Sequence, residues 1–349
     1  MKMRVFDFFS GCGGTSCGFK QSGMEIAFGV DIDPDSGRTF RKNFPEATFL
    51  EADIRRLDPS LLTPLLRDRS APVLFCGCAP CQPFSRQNKS RKRNDPRMNL
   101  LAEFGRFIRY WKPDYVFVEN VPGLQRVGKD GGPLRQFARL LAKEGYSFAS
   151  DVVPALWFGV PQKRERLVLL ASLAGRIDLP EATHGPGKKR PSYSTVRDWI
   201  GDLAKIRAGM ACSNDPDHEA AALSPLNLKR ISSTPEGGGR ESWPRHLWLK
   251  CHKNHSGHSD VYGRLNWDAP ASGLTTRCIS YSNGRFGHPE QDRALSAREA
   301  ACLQTFPRSY RFIGSLESRA RQIGNAVPPL MALRIGQQVK RHFASVKGG

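Results

Sequence analysis

The sequence predicts an α/β protein built on a doubly wound parallel sheet, with a second, smaller domain. Three observations predict it. Short, continuous apolar runs recur through the first 172 residues with helical stretches between them, which suits strands buried on both faces. Small, polar or ionisable residues close the runs, which marks the carboxyl edge of an open sheet, where ligands bind. After about residue 180 the periodic signal fades and Gly, Ser, His and Arg dominate.

Taken in order, residues 5–9 form the first run and end in the turn Ser10-Gly11-Cys12-Gly13-Gly14. Residues 26–30 form the second, followed by Asp31-Ile32-Asp33-Pro34 and a helical stretch to Asn43. A third strand ends near Asp53-Ile54. Residues 73–78 lead into Ala79-Pro80-Cys81, residues 115–118 into Glu119-Asn120, and residues 167–171 follow the charged string Gln162-Lys163-Arg164-Glu165-Arg166. Helices are expected at 99–111 and 133–144. Residues 180–191, rich in Pro, Gly, Lys and Arg, read as a hinge. Residues 293–306 return to helical spacing with Leu295, Ala300, Ala301, Leu303 and Phe306. A last helix follows Pro328-Pro329 and runs through Phe343.

At about 150 residues per domain, 349 residues suggest two domains. The expected division is 1–185 with 318–349, and 186–317. The chain carries 53 Lys and Arg against 33 Asp and Glu, a net charge of +20 that attracts polyanions. No run of about 18 apolar residues occurs, which argues against a membrane-spanning helix. Asp7 comes too early for a signal peptide. The nine cysteines are odd in number and follow no export signal, so reduced thiols in a cytoplasm are expected.

Three features carry chemistry. The turn from Phe9 to Gly14 lets backbone approach a ligand closely, and Asp31 at the next strand end can accept from both hydroxyls of a ribose. Asp53 is placed to meet an adenine amino group. The turn lacks the Gly-Lys-Ser/Thr ending of a phosphate loop. Cys81, at a strand end and opening a loop, is placed as a nucleophile, with a buried structural cysteine as the plain alternative. The spacing of Cys76, Cys78 and Cys81 departs from the paired pattern of zinc sites. The loop from Ser85 to Arg97 gathers Arg86, Lys89, Arg91, Lys92, Arg93 and Arg97 against Asp95 alone. It reads as a solvated charged loop or as a lid closing on phosphates.

These blocks together resemble the DNA (cytosine-5) methyltransferases. The matching segments are Asp7-Phe8-Phe9-Ser10-Gly11-Cys12-Gly13-Gly14, Pro80-Cys81-Gln82-Pro83-Phe84-Ser85, Glu119-Asn120-Val121 and Gln162-Lys163-Arg164-Glu165-Arg166. Two more, Arg298-Glu299-Ala300-Ala301-Cys302-Leu303-Gln304-Thr305-Phe306-Pro307 and Gln322-Ile323-Gly324-Asn325-Ala326-Val327-Pro328-Pro329, complete the set in the family's order. The resemblance implies a Rossmann-like S-adenosylmethionine-dependent methyltransferase domain with a small target-recognition domain. It implies that S-adenosylmethionine meets Phe9, Ser10, Gly11, Cys12, Gly13, Gly14, Asp31, Ile32, Asp53, Ile54, Pro80, Leu100, Asn325, Ala326 and Val327, and leaves as S-adenosylhomocysteine. No metal is expected.

The implied catalytic residues are Cys81, Glu119, Arg164 and Arg166. A Cys81 thiolate adds to carbon 6 of cytosine, a protonated Glu119 donates to ring nitrogen 3, and Arg166, with Arg164 in second place, holds the base's carbonyl oxygen. The target must leave the stack first. No residue is evident as the base that takes the carbon 5 proton, and a water can serve. The resemblance implies double-stranded DNA as partner, contacted by Gln82, Ser85 and Gln162 as well as by the basic loop.

Residues 186–292 are expected to hold the recognition surface, with Arg240, Arg264, Thr275 and Arg277 as candidate DNA contacts. Cys251, His252, His255 and His258 read as polar loop residues, with zinc as the alternative. Two departures stand out. Asp31 replaces the family's usual Glu, and Gly273-Leu274 stands where a Thr before an aliphatic residue is common. The expected protein is a minimal bacterial or phage enzyme, a monomer, either sharing a site with a restriction endonuclease or solitary. A tRNA cytosine-5 methyltransferase of the same fold and a catalytically silent DNA-binding regulator are the alternatives.

Overall fold

The computed structural model describes residues 2–80, 99–124, 132–250 and 260–348. In chain order, β1 (Arg4–Phe8), α1 (Gly14–Gln21), β2 (Glu25–Asp31), α2 (Pro34–Asn43) and β3 (Thr48–Glu51) come first. Next are α3 (Thr63–Leu66), β4 (Val73–Gly77), α4 (Leu100–Trp111), β5 (Tyr115–Asn120), α5 (Pro133–Lys143) and β6 (Ser147–Pro154). Then come β7 (Gln162–Lys163), β8 (Glu165–Ser172), α6 (Val196–Ile200), β9 (Ala211–Cys212), β10 (Asp215–Glu219), α7 (Pro225–Ser232) and β11 (Ala271–Ser272). Helices α8 (Ala297–Leu303), α9 (Leu316–Asn325) and α10 (Pro329–Lys347) complete the chain.

These elements form two compact units. The first comprises Met1–Pro154, Glu165–Ala182 and Val327–Gly349, and the second Ala155–Arg164 and Thr183–Ala326. The second unit thus takes in β7 and α9 beyond the stretch marked out by composition. The cause is pairing: β7 runs parallel to β11, and Arg164, just after β7, donates to carbonyls at the end of α9.

The first unit is a seven-stranded sheet in the order β3-β2-β1-β4-β5-β8-β6. Strands β1 to β5 pair in parallel, as the apolar runs predict, but β8 is antiparallel to both β5 and β6. Strand β4 is buried throughout. Phe8 packs on Phe75, Phe104 and Phe107 at 5.0–5.1 Å, which fixes α4 against the sheet. Alternation sends Phe117 of β5 to the other face from Val116 and Val118, where it meets Phe19 of α1 edge-on at 5.7 Å. Strand β6 escapes the sequence reading because it is an edge strand whose residues are mostly exposed, so it shows no apolar run.

The second unit has a small apolar core around Ile231, Trp243, Leu247, Tyr281 and Ala294. Much of its framework is arginine bonded to carbonyls and carboxylates. Arg264 donates to the carbonyls of Ile231, Thr234, His288 and Gln291 and to Asp292. Arg298 binds Asp215 and Asp217, and Arg293 grips Glu299 through both terminal nitrogens. Such ties keep buried polar groups satisfied without regular strands.

Helices α1 and α10 pack through Gly18, where a Cβ would stand 2.1 Å from the carbonyl oxygen of Pro329. Backbone cannot retreat as a flexible side chain can. Gly18→Ala is therefore expected to lower stability by about 1–3 kcal/mol, measured by chemical denaturation; an unchanged midpoint would refute the close approach.

Candidate active site

The carboxyl edge of the sheet gathers the predicted residues of the first unit. After β1 the backbone takes left-handed turns at Phe9 (φ +58°), Gly11 (+52°) and Gly13 (+87°). A left-handed Phe is costly, and such strain persists only where the surroundings impose it. Here Ser10 N–H donates to Val30 O at 3.0 Å and Gly11 N–H donates to Asp31 Oδ2 at 2.8 Å, tying the turn to the end of β2. The other Asp31 oxygen accepts from Asp33 N–H at 2.9 Å. Burial pushes the Asp31 carboxyl up despite these donors. Each oxygen retains a lone pair for a hydroxyl. Beside it the Ile32 side chain is 64% exposed, an apolar face at a polar edge.

The other predicted cofactor residues divide. Cys12 and Gly14 are buried in the turn and the start of α1. Asp53 caps a short turn and is bound by Arg55, which holds its carboxyl below the usual range, so an adenine amino group would have to compete with a guanidinium. Ile54 and Leu100 lie in the hydrophobic core, so their side chains face inward. Pro80 is exposed. Asn325 and Ala326 end α9 in the second unit, while Val327 is a buried residue of the first.

Beneath the glycine turn, Asp7 is fully buried. Ser16 donates to its Oδ2 at 2.6 Å, Oδ1 has no hydrogen-bond partner, and Cys76 Sγ, alongside, turns to Phe6 O. Burial raises the Asp7 carboxyl to about 7. Cys78 lies 3.6 Å from Thr15 Oγ1, and burial, helped by the nearby Glu119 and Asp7 carboxylates, pushes its thiol well up. A thiol held neutral in this way is packing, not a nucleophile.

Glu119 is buried at the end of β5. Because β8 runs antiparallel, its first residues reach the same edge, and Arg166 Nε lies 2.8 Å from Glu119 Oε1. That is ion-pair distance, yet the oxygen is buried without a hydrogen bond, because the N–H is not aimed at it. Arg166 instead donates through Nη1 to Glu165 O. Next door, Asn120 Nδ2 donates to Ala79 O at 3.1 Å and its Oδ1 accepts from Val121 N–H. Asn120 thus fixes the backbone two residues before Cys81. Its one sequence signal is its place beside Glu119.

Arg164 is turned elsewhere. It is 94% buried in the second unit and donates to the carbonyls of Leu274, Gly324 and Ala326. Gln162 is fully buried, bonded to Leu303 O, Gln304 and Leu274 N–H, which leaves no room for DNA. Gln304, overlooked in the sequence, joins this knot by donating to Ala326 O. Arg264 is likewise committed to its five partners and Arg240 is buried, so these two are framework rather than surface. Thr275 is half-buried and Arg277 exposed. Arg277 lines a cavity of about 580 Å³ in the second unit, with Asn227, Tyr281, Glu317, Ala320 and Arg321.

Cys81, Gln82, Ser85, Arg86, Lys89, Arg91 and Arg97 lie outside the described residues, as do Cys251, His252, His255 and His258. Among the described residues no group of three or more His, Cys, Asp or Glu is placed to hold a metal ion. No described helix is long and apolar enough to cross a membrane.

Comparison with known proteins gives one answer. The family model described as C-5 cytosine-specific DNA methylase matches residues 3–341. The type II methylase M.HgiDII of Herpetosiphon aurantiacus is 42% identical over 97% of this chain and 95% of its own length. The type II methyltransferase M1.HphI of Haemophilus parahaemolyticus is 35% identical over 97% and 87%. Among solved structures, one titled as a DNA modification methyltransferase encoded within an E. coli prophage superposes with a TM-score of 0.76 at 22% identity, covering 98% of this chain and all of that one. The Dnmt2 methyltransferase of S. pombe gives 0.66 at 17% over 98% and 99%. At these identities the two structures speak for the fold.

Asp7 sets a pH dependence. Folded, it stays protonated up to about 7; unfolded, it ionises near 3.8. The folded state holds the extra proton in that window, so stability from this group falls as pH rises from about 4 to 7 and then levels. Asp7→Asn lacks the titration. Its stability relative to wild type is expected to improve by a few kcal/mol between pH 4 and pH 8, measured by denaturation at each pH; parallel profiles would refute the assignment.

Proposed function

Because this chain belongs to the C-5 cytosine-specific DNA methylase family, we propose that it methylates carbon 5 of a flipped-out cytosine within a specific double-stranded DNA sequence, with Cys81, Glu119 and Arg166 as its catalytic residues. The observation that carries this reading is the Glu119 carboxylate. It is buried at the carboxyl edge, faces a guanidinium, and has one oxygen without a hydrogen bond. A buried polar atom left unmatched is a docking point for a polar ligand.

The residues at the edge fit S-adenosylmethionine. Asp31 offers lone pairs to ribose hydroxyls, Ile32 offers an exposed apolar face to adenine, and a Cβ at Gly11 would meet nothing within 4 Å, so the turn stands open. When bound, this group supplies an electrophilic methyl.

Cytosine carbon 5 is a poor nucleophile until carbon 6 is attacked. The Cys81 thiolate forms the bond to carbon 6, and the displaced electron pair moves toward carbon 5 and nitrogen 3. The base's carbonyl oxygen draws the Arg166 guanidinium off Glu119, which takes up a proton from water and donates it to nitrogen 3. Carbon 5, now enamine-like, would take the methyl as its bond to sulfur breaks, leaving a neutral thioether. A water takes the carbon 5 proton, the freed electron pair expels the thiolate and restores the ring, and nitrogen 3 returns its proton to Glu119. Asn120 holds the carbonyl of Ala79 and so sets where the Cys81 loop begins.

The second unit serves as the target-recognition domain in this reading, and the type II relatives support a place in restriction–modification. The net charge of +20 supports a polyanionic substrate.

A duplex library carrying 5-fluorocytosine tests the proposal, because fluorine cannot leave as a proton does. With S-adenosylmethionine present, a denaturant-resistant protein–DNA adduct is expected. It is expected to vanish in Cys81→Ser and to form at least 100-fold more slowly in Glu119→Gln. Adducts on tRNA alone would transfer the activity to RNA. No adduct on either, with S-adenosylmethionine still bound, would refute the catalytic assignment.

A further inference from the structure

The string Gln162-Lys163-Arg164-Glu165-Arg166 splits its arginines between two tasks. Arg166 meets the Glu119 carboxylate in the first unit, whereas Arg164 is held inside the second. Its Nη1 donates to Leu274 O at 3.0 Å and Gly324 O at 3.2 Å, and its Nη2 to Ala326 O at 3.3 Å. Gly324 and Ala326 lie at the carboxyl end of α9, where helix carbonyls lack intrahelical partners and a cation is favoured. Leu274 lies just beyond β11, at the start of the loop that carries Thr275, Thr276 and Arg277.

Leu274 is held from both sides of its peptide. Gln162 Oε1 accepts its N–H at 3.1 Å while Arg164 takes its carbonyl. An independent contact joins the same two segments. A Cβ on Gly324 would stand 2.1 Å from Thr275 O and 2.6 Å from Thr276 N, so the loop backbone lies directly on the end of α9. Further on, Cys278 N–H donates to Thr275 O and Cys278 Sγ to Ala320 O of α9. The clamp leaves Arg277 exposed at the edge of the 580 Å³ cavity.

We propose that Arg164 is a positioning residue for DNA sequence reading: it clamps Leu274 to the end of α9, fixes the loop that presents Arg277, and makes no contact with the reacting cytosine. The proposal rests on the methyltransferase reading above. Arginine reads a guanine edge through a planar fork, so its discrimination depends on where its backbone is held. Lysine in place of Arg164 keeps the charge but cannot bridge three carbonyls.

The test is adduct trapping on a 5-fluorocytosine duplex library with randomised flanks, followed by sequencing of the trapped DNA and single-turnover rates at saturating DNA. Wild type is expected to return a narrow set of flanks. Arg164→Lys is expected to return a broader set and to weaken DNA binding, with losses in affinity and discrimination at least 10-fold greater than the loss in single-turnover rate. Gly324→Ala displaces the same loop with the guanidinium intact and is expected to broaden the same positions; circular dichroism confirms folding of both variants. An unchanged flank set would overturn the proposal, as would an adduct rate reduced more than 10-fold at unchanged discrimination, which would place Arg164 on the base. If wild type traps no DNA, the methyltransferase reading fails and not the clamp alone.

Discussion

One reversed strand organises the carboxyl edge of the sheet. In a fully parallel sheet every strand presents its last residue at the carboxyl edge, and only last residues meet there. Strand β8 runs the other way between β5 and β6, so it presents its first residues beside the end of β5. That reversal brings Arg166 within 2.8 Å of Glu119. Two charged side chains from distant parts of the chain thereby share a buried position, and each limits the other's freedom. The neighbouring Asn120 fixes the opening of the Cys81 loop from the same strand end. Glu119, Arg166 and the backbone before Cys81 are thus referred to one rigid element.

The two units are stabilised by different means. The first is a layered core of phenylalanines, with tight passages such as Gly18 where helices meet. The second buries arginines whose hydrogen bonds run to carbonyls across loops. A guanidinium presents five donors in a fixed plane, so one residue can join several segments that have no strand or helix in common. Irregular segments are thereby held in fixed positions without regular strands.

These differences explain what the sequence disclosed. Strands β1, β2, β4 and β5 were legible because strands buried on both faces leave continuous apolar runs, which the edge strand β3 lacks, and α4 and α5 because their periodicity is strong. Strand β6 was not, since an exposed edge strand carries no such run. The glycine turn with Asp31, and Glu119 and Arg166 as separate motif residues, were legible in the sequence; that Glu119 and Arg166 pair is shown only by the fold. Arg240 and Arg264 were read as DNA contacts because polar side chains in an aperiodic segment look exposed, and Gln162 because the family resemblance implies it, yet all three are buried. Composition does not show that an arginine spends its donors on carbonyls far away in sequence, nor that Arg164 and Arg166, two residues apart, serve different units.

The exposed Ile32 beside Asp31 has a thermodynamic consequence. A hydrophobic side chain left in water orders solvent around it, and a flat heterocycle settling on it would release that solvent. Burial of apolar surface gives association a negative heat-capacity change. A heterocycle bound there would therefore show a curved temperature dependence of affinity, its enthalpy growing more favourable on warming. The bare isoleucine would make capture at this edge a function of temperature.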